Sequence, residues 1–294
     1  MHRKGGFGNI ETWYYDAIFD NDCSVVTLVN VIHLGPLSQV LTGLFIYRNN
    51  KLIKNVREKI PYRHFHGSEK IPYLAINGKS ILKENIEEDS QKLITHVTMG
   101  DDIWGVDLKF TKTAVPFKGK TLLGKWLVIP RFSVEGSLNC DGKTIDVFGE
   151  GYHDHNIYPV YAPFVTKGYH FGKIPFDSMN ITWANIIKRG EKRQPIIVFN
   201  KKNEYVSIDP SEIQFIIEKE IEEHKKTVPT VWRIVVDNEK LQVDVKLKSI
   251  HHHYVSIPSV HYWRHHTKNS GLIAVDSHKI KIDSYEISEY LKFF

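Results

Sequence analysis

Asp141-Gly142-Lys143-Thr144-Ile145-Asp146-Val147-Phe148-Gly149-Glu150-Gly151-Tyr152-His153-Asp154-His155-Asn156 is the stretch from which the fold is read. An Asp-Gly pair ahead of alternating polar and apolar residues is a hairpin turn feeding a β-strand. Gly149 and Gly151 then free the backbone. Glycine inside a strand pattern marks a bulge or a close backbone approach, and bulges re-aim side chains near active sites. Five consecutive side chains able to move protons, donate hydrogen bonds or stack follow at once.

The same signal recurs outward from this point. Turn-forming residues at Ile76-Asn77-Gly78-Lys79, Asp237-Asn238 and Lys201-Lys202-Asn203 separate runs rich in β-branched and aromatic residues, and the flanks 144–148, 196–199, 205–208, 232–236 and 241–247 read as hairpin strands. No glycine-rich phosphate loop and no regular βα alternation is present, so the expected class is all-β, in barrels or sandwiches. The one helix-like competitor is 211–226, where Asp209-Pro210-Ser211-Glu212 resembles a helix start. Ile213, Phe215 and Ile217 nevertheless alternate as in a strand, and a strand is expected. Pro159 and Pro163 interrupt the pattern inside an uncharged aromatic segment, which places a boundary there and gives domains of 1–159 and 160–294.

Composition narrows the class of function. The 294 residues are 41% hydrophobic and 25% charged, as in a folded globular protein with a substantial core. The net charge of +5 is spread along the chain without the basic stripe or tail of a nucleic-acid binder, so no nucleic-acid partner is expected. Cys23 and Cys140 form no disulfide framework or metal spacing, and the N-terminus lacks the apolar block of a secretory signal; both point to the cytoplasm. Residues 23–47 carry no formal charge and are long enough to span a bilayer. Asn30, His33, Gln39 and the central Gly35-Pro36 instead favour strand, turn, strand, and no stable membrane insertion is expected.

Other polar clusters read as less specific. His153 and His155 could present two metal ligands on one face, with His251-His252-His253, His261, His265 and His266 as distant partners. The residues after His155 supply no further ligand, so no metal is expected. Ile145 and Val147 share parity with His153 and His155, while Asp154 shares it with Tyr152 and Asn156. Either the histidines face the interior, or a bulge at 149–151 exchanges the faces.

The chain resembles the carotenoid 1,2-hydratase (hydroxyneurosporene synthase) family of double lipocalin-like proteins, and is similar in pattern to tandem β-domain Diels-Alderases and terpene cyclases. The matching pieces are Glu11-Thr12-Trp13-Tyr14-Tyr15-Asp16, Gly136-Ser137-Leu138-Asn139-Cys140-Asp141-Gly142 and the row Gly149 through Asn156. In the second half they are Tyr169-His170-Phe171-Gly172-Lys173, Ile181-Thr182-Trp183-Ala184, Tyr262-Trp263-Arg264 and Ser288-Glu289-Tyr290. The family continues the row with Trp-Gly, where this chain has Ile157-Tyr158.

The resemblance implies two lipocalin-like antiparallel β-barrel domains in tandem. It also implies an enzyme needing no cofactor, acting on an apolar polyene or isoprenoid in an interior or interdomain pocket by acid-initiated hydration, isomerisation or cyclisation. That chemistry needs a carboxyl kept protonated by a dry pocket, for which Asp154 is the candidate, with His153 and Tyr152 beside it. Aromatic faces shelter the carbocation. Trp13, Tyr15, Tyr169, Trp183 and Trp263, with His155 and Asn156, are the candidate substrate contacts. The different-class alternative is a lipid or isoprenoid carrier with the same cavity and no turnover.

Overall fold

The computed structural model describes residues 7–68, 71–87, 92–121, 124–190, 192–201, 204–257 and 260–293. The chain divides between Tyr161 and Ala162 into two compact units. Each is one antiparallel sheet curled around its own core, so the all-β architecture read from hairpin spacing is the one observed. Among the described residues the first sheet has 12 strands and the second 9.

In the first unit, strand Asn9–Phe19 pairs on one side with Cys23–His33 and on the other with Lys143–Pro159, the last strand of the unit. The second unit repeats the device: its opening strand, Thr166–Phe176, lies between Met179–Lys188 and the closing strand His278–Phe293. Side chains alternate across a strand. Trp13, Tyr15, Ala17 and Phe19 therefore enter the first core together, beside Val25, Leu44, Phe110, Phe132 and Val134. The second core gathers Ile174, Trp183, Phe199, Trp232, Val245 and Ile282.

The turns follow from residue chemistry. Asn77 and Gly78, and Asp141 and Gly142, all have positive φ, which a two-residue type I′ hairpin requires. Asn49-Asn50, His224-Lys225 and Asp276-Ser277 adopt the same sign of φ without a glycine. The Lys202-Asn203 turn lies outside the described residues. The uncharged segment is strand Cys23–His33, a short 3-10 turn at Gly35–Leu37 and strand Gln39–Arg48. Among the described residues no helix is long and apolar enough to cross a membrane. The helix-start signal at Asp209 is also real on a small scale. Its carboxylate accepts from the Ser211 amide at 2.8 Å and caps a single turn, Pro210–Glu212, before strand Ile213–Glu223 begins.

The glycines of the 149–156 row mark close packing. Pairing between Asn9–Phe19 and Lys143–Pro159 is unbroken from Asn9 opposite Pro159 to Phe19 opposite Gly149. The irregularity falls on the other neighbour, strand Gly124–Cys140, between Ile129 and Phe132. A side chain at Gly149 would meet the Ile18 carbonyl oxygen at 2.1 Å, and one at Gly151 would meet Val134 Cγ2 at 2.6 Å and Phe110 Cε1 at 2.7 Å. No face is exchanged, so His153 and His155 stay on the core side with Val147.

This packing gives a stability test. Gly151→Ala should destabilise the protein by about 1–3 kcal/mol through overpacking. Gly78→Asn, in a turn with nothing within 4 Å of an added Cβ, should stay within about 0.5 kcal/mol of the parent. Urea midpoints of the two variants measure the contrast.

Candidate functional site

Three neighbouring strands of the first unit put a short column of polar side chains on an apolar wall. Register sets Trp13 opposite His155 and Tyr15 opposite His153 on one side, and Leu127 and Ile129 opposite the same two histidines on the other. The Trp13 and His155 rings stack with centroids 4.7 Å apart and 14° between planes; Tyr15 and His153 stack at 4.0 Å and 15°. Cross-strand aromatic pairs of this kind stabilise a sheet while holding each ring in one orientation.

These side chains line a cavity of about 990 Å³. Ile71, Pro72, Ile86, Leu93, Trp126 and Ile157 supply most of its apolar wall, and Glu84 is its carboxyl group. The volume suits a medium-sized organic molecule.

The electrostatics follow from burial. His153 Nδ1 lies 2.9 Å from the Tyr14 carbonyl oxygen. A carbonyl only accepts, so Nδ1 carries the hydrogen and Nε2 keeps its lone pair. Burial brings the His153 pKa down to about 3, against a smaller opposing effect from that hydrogen bond, and the ring is neutral at physiological pH. Burial also raises the pKa of Glu84, with Lys112 opposing, so its carboxyl keeps its proton to higher pH than an exposed one. The Tyr15 hydroxyl is held well above its ordinary range by burial and then by the nearby Glu84 charge. Deeper in the wall Glu11, almost fully buried, has His155 Nε2 at 2.8 Å and His33 Nε2 at 3.6 Å. A carboxyl buried this deeply needs such polar partners, because burial without them is costly.

The candidate residues divide between faces and units. Trp13, Tyr15, His153 and His155 come together in the cavity wall. Tyr152, Asp154 and Asn156 have the opposite parity. The Tyr152 hydroxyl donates to Asp154 Oδ2 at 3.1 Å and Asn156 Nδ2 to Oδ1 at 2.7 Å, while Tyr14 meets Tyr152 edge-on. Asp154 is buried there, not in the cavity lining. Glu84, absent from the sequence reading, is the cavity carboxyl. Its signal was an acid on the apolar parity of strand Lys79–Glu87, between Leu82 and Ile86.

Tyr169, Trp183 and Trp263 belong to the second unit. Trp183 packs in the core against Phe215 and Trp232, and Tyr169 pairs in register with Ile186 and Leu291. Trp263 donates from Nε1 to Glu223 at 2.6 Å and stacks on Tyr290. Charged side chains are buried in this unit as well. Arg264 contacts Tyr262 and Glu289, and Lys173 lies 3.1 Å from Glu286. Among the described residues no three His, Cys, Asp or Glu side chains are grouped to hold a metal ion.

With this geometry in place, the likeness to solved structures has a clear content. The AttH-designated protein of Nitrosomonas europaea aligns over 96% of this chain and 92% of its own, with TM-score 0.72 and 10% identity. Kievitone hydratase of Nectria haematococca covers 97% and 89%, with TM-score 0.64 and 13% identity. CghA with Sch210972 covers 98% and 89%, with TM-score 0.64 and 8% identity. At such identities the likeness defines the fold, that of the tandem-barrel proteins. No family model and no curated protein matches the sequence; the carotenoid hydratase resemblance therefore rests on the residues quoted for it.

Burial of neutral histidines fixes the acid sensitivity of the protein. His153, His265 and His266 are each lowered from 6.5 to about 3 by burial, and His170 is lowered too. A depressed folded-state pKa means that the unfolded chain binds more protons below 6.5. The stability contributed is present above that value and is lost as pH falls toward about 3. Each histidine should add a slope of about 1.4 kcal/mol per pH unit within this window. His153→Gln, which keeps an N–H donor for Tyr14, should flatten the fall in melting temperature between neutral and acid pH.

Proposed function

We infer that this chain is a cofactor-independent enzyme that holds an apolar polyene or isoprenoid in the cavity of its first unit and acts by acid-initiated hydration, isomerisation or cyclisation. The observation that carries this reading is a carboxyl group with raised proton affinity, Glu84, in the same apolar cavity as a neutral imidazole, His153. The fold shared with a protein named kievitone hydratase supports the hydration branch.

In that branch Glu84 gives its proton to one alkene carbon, and positive charge develops on the other. The faces of Trp13, Tyr15 and Trp126 stabilise that charge. His153 Nε2 accepts a hydrogen bond from water and takes its proton as oxygen bonds to the cation. The developing Glu84 carboxylate offsets the unfavourable charging of a buried imidazole. One proton has left Glu84, one has arrived on His153, and water has been added; transfer between the two groups restores the starting state. In the isomerisation branch His153 instead removes a substrate proton. The Glu11–His155 pair fixes the ring against which Trp13 stacks.

Glu84→Gln removes the acid while retaining shape, so turnover should fall by on the order of 10²-fold or more with ligand binding retained. The rate should also decline as pH rises through the elevated Glu84 pKa, because the protonated form is the active one. Asp154→Asn should lower the melting temperature and leave turnover per folded molecule nearly unchanged. The assay is incubation with a polyene and isoprenoid panel, read as a gain of one water mass or as a new isomer. Loss of activity in Asp154→Asn with Glu84→Gln unaffected would return the acid role to Asp154. Tight binding of the panel without turnover by the parent protein would identify a carrier.

A further inference from the structure

The mouth of the cavity has a charge pattern that the acid-base chemistry does not use. Strand Phe117–Thr121 and the start of strand Gly124–Cys140 place Lys118, Lys120 and Lys125 in the cavity lining, all three exposed. Lys120 and Lys125 stand directly opposite each other in register, and Lys118 follows two residues along on the same face. Like charges directly opposed across a strand pair are destabilising. Among the described residues no carboxylate forms an ion pair with any of the three.

The rest of the column is apolar or neutral. Lys125, Leu127 and Ile129 lie in sequence along one strand, opposite Ile157, His155 and His153. Four steps along the strand lead from Lys125 to Ile129, a span of about 14 Å. The two acids of the wall do not compete for the lysines. Neither is ion-paired with them among the described residues: burial raises the Glu84 pKa and so disfavours its charged form, and Glu11 is engaged with His155 and His33. Among the described residues, the cavity lining thus presents three lysines beside an apolar shaft.

We propose that the ligand of this cavity is an amphiphilic anion, with a carboxylate or phosphate head between Lys120 and Lys125, assisted by Lys118, and an apolar chain extending toward His153. The anion removes the repulsion between the opposed lysines. The length of the shaft places the reacting part of the chain near Glu84 and His153 at a fixed distance from the head. This inference rests on the cavity being the ligand site, as the proposed function requires.

Calorimetric titration of the full chain, with tryptophan fluorescence reporting on Trp13 and Trp126, tests it with two matched pairs. The pairs are dodecanoate against dodecan-1-ol, and farnesyl monophosphate against farnesol. Each anion should bind on the order of tenfold more tightly than its alcohol, with the preference shrinking at high salt. The relative affinities of dodecanoate and farnesyl monophosphate separate a carboxylate source from a phosphate source. The double variant Lys120→Gln, Lys125→Gln should lose the tenfold preference and keep its affinity for the alcohols. Lys51→Gln, Lys59→Gln, an equal charge change elsewhere on the first unit, should keep the preference. Alcohols binding as well as anions, or an equal loss in the control variant, would overturn the anionic-head proposal while leaving the cavity function standing. Binding of neither anions nor alcohols would overturn both.

Discussion

The first unit depends on one long pairing, strand Asn9–Phe19 against strand Lys143–Pro159. It joins the ends of the unit, and the hydrogen bond from His153 to Tyr14 that it creates spans 139 residues of chain. Contacts so distant in sequence carry a loop-closure entropy cost that the pairing must offset. Gly149 and Gly151 make it possible, because any larger residue would meet the partner backbone or the Phe110 and Val134 side chains. Without this pairing neither ring stack forms, and Glu11 loses His155.

The same pairing explains why one row of residues contains two chemistries. Parity sends His153 and His155 to the cavity, where desolvation keeps His153 neutral, and sends Tyr152, Asp154 and Asn156 into a hydrogen-bonded group on the other face. A slip of one residue in register would exchange the two sets. The second unit divides a comparable row in the same way. Trp263 and His265 pack toward Tyr290 and Trp232, whereas Tyr262 and Arg264 turn to Glu289. Each row therefore combines a face of aromatic and histidine ring contacts, stacked in the first unit and edge-on between Trp232 and His265 in the second, with a face of buried polar partners. The buried histidines stabilise the fold only while neutral, which makes acid the natural route to its loss.

Much of this was legible in the sequence, and for identifiable reasons. Asn77-Gly78 and Asp141-Gly142 announce their turns because those residues accept positive φ, whereas His224-Lys225 makes its turn under the tertiary pairing of the strands around it. Alternation in residues 143–156 specifies that His153 and His155 travel together, whereas Trp13 and Tyr15 are named through the family resemblance, and it is the register that sets them opposite those histidines. Alternation leaves open which set faces inward, and Asp154 is the candidate acid only because protonation chemistry needs a carboxyl and residues 152–156 contain one. The deciding facts were the unbroken register along Asn9–Phe19 and the placement of the irregularity at Ile129 and Phe132.

Glu84 and the lysines of the cavity lining were beyond the reach of local pattern. Glu84 lies on strand Lys79–Glu87, and Lys120 and Lys125 belong to a different hairpin; neither is near the 149–156 row in sequence. Local sequence determined the strands, the main turns and the pairing of side chains by face, because those depend on φ preferences and a period of two. Only the tertiary structure decided which acid, which imidazole and which cations share a cavity, because curling a sheet brings together strands whose order along the chain carries no record of that proximity.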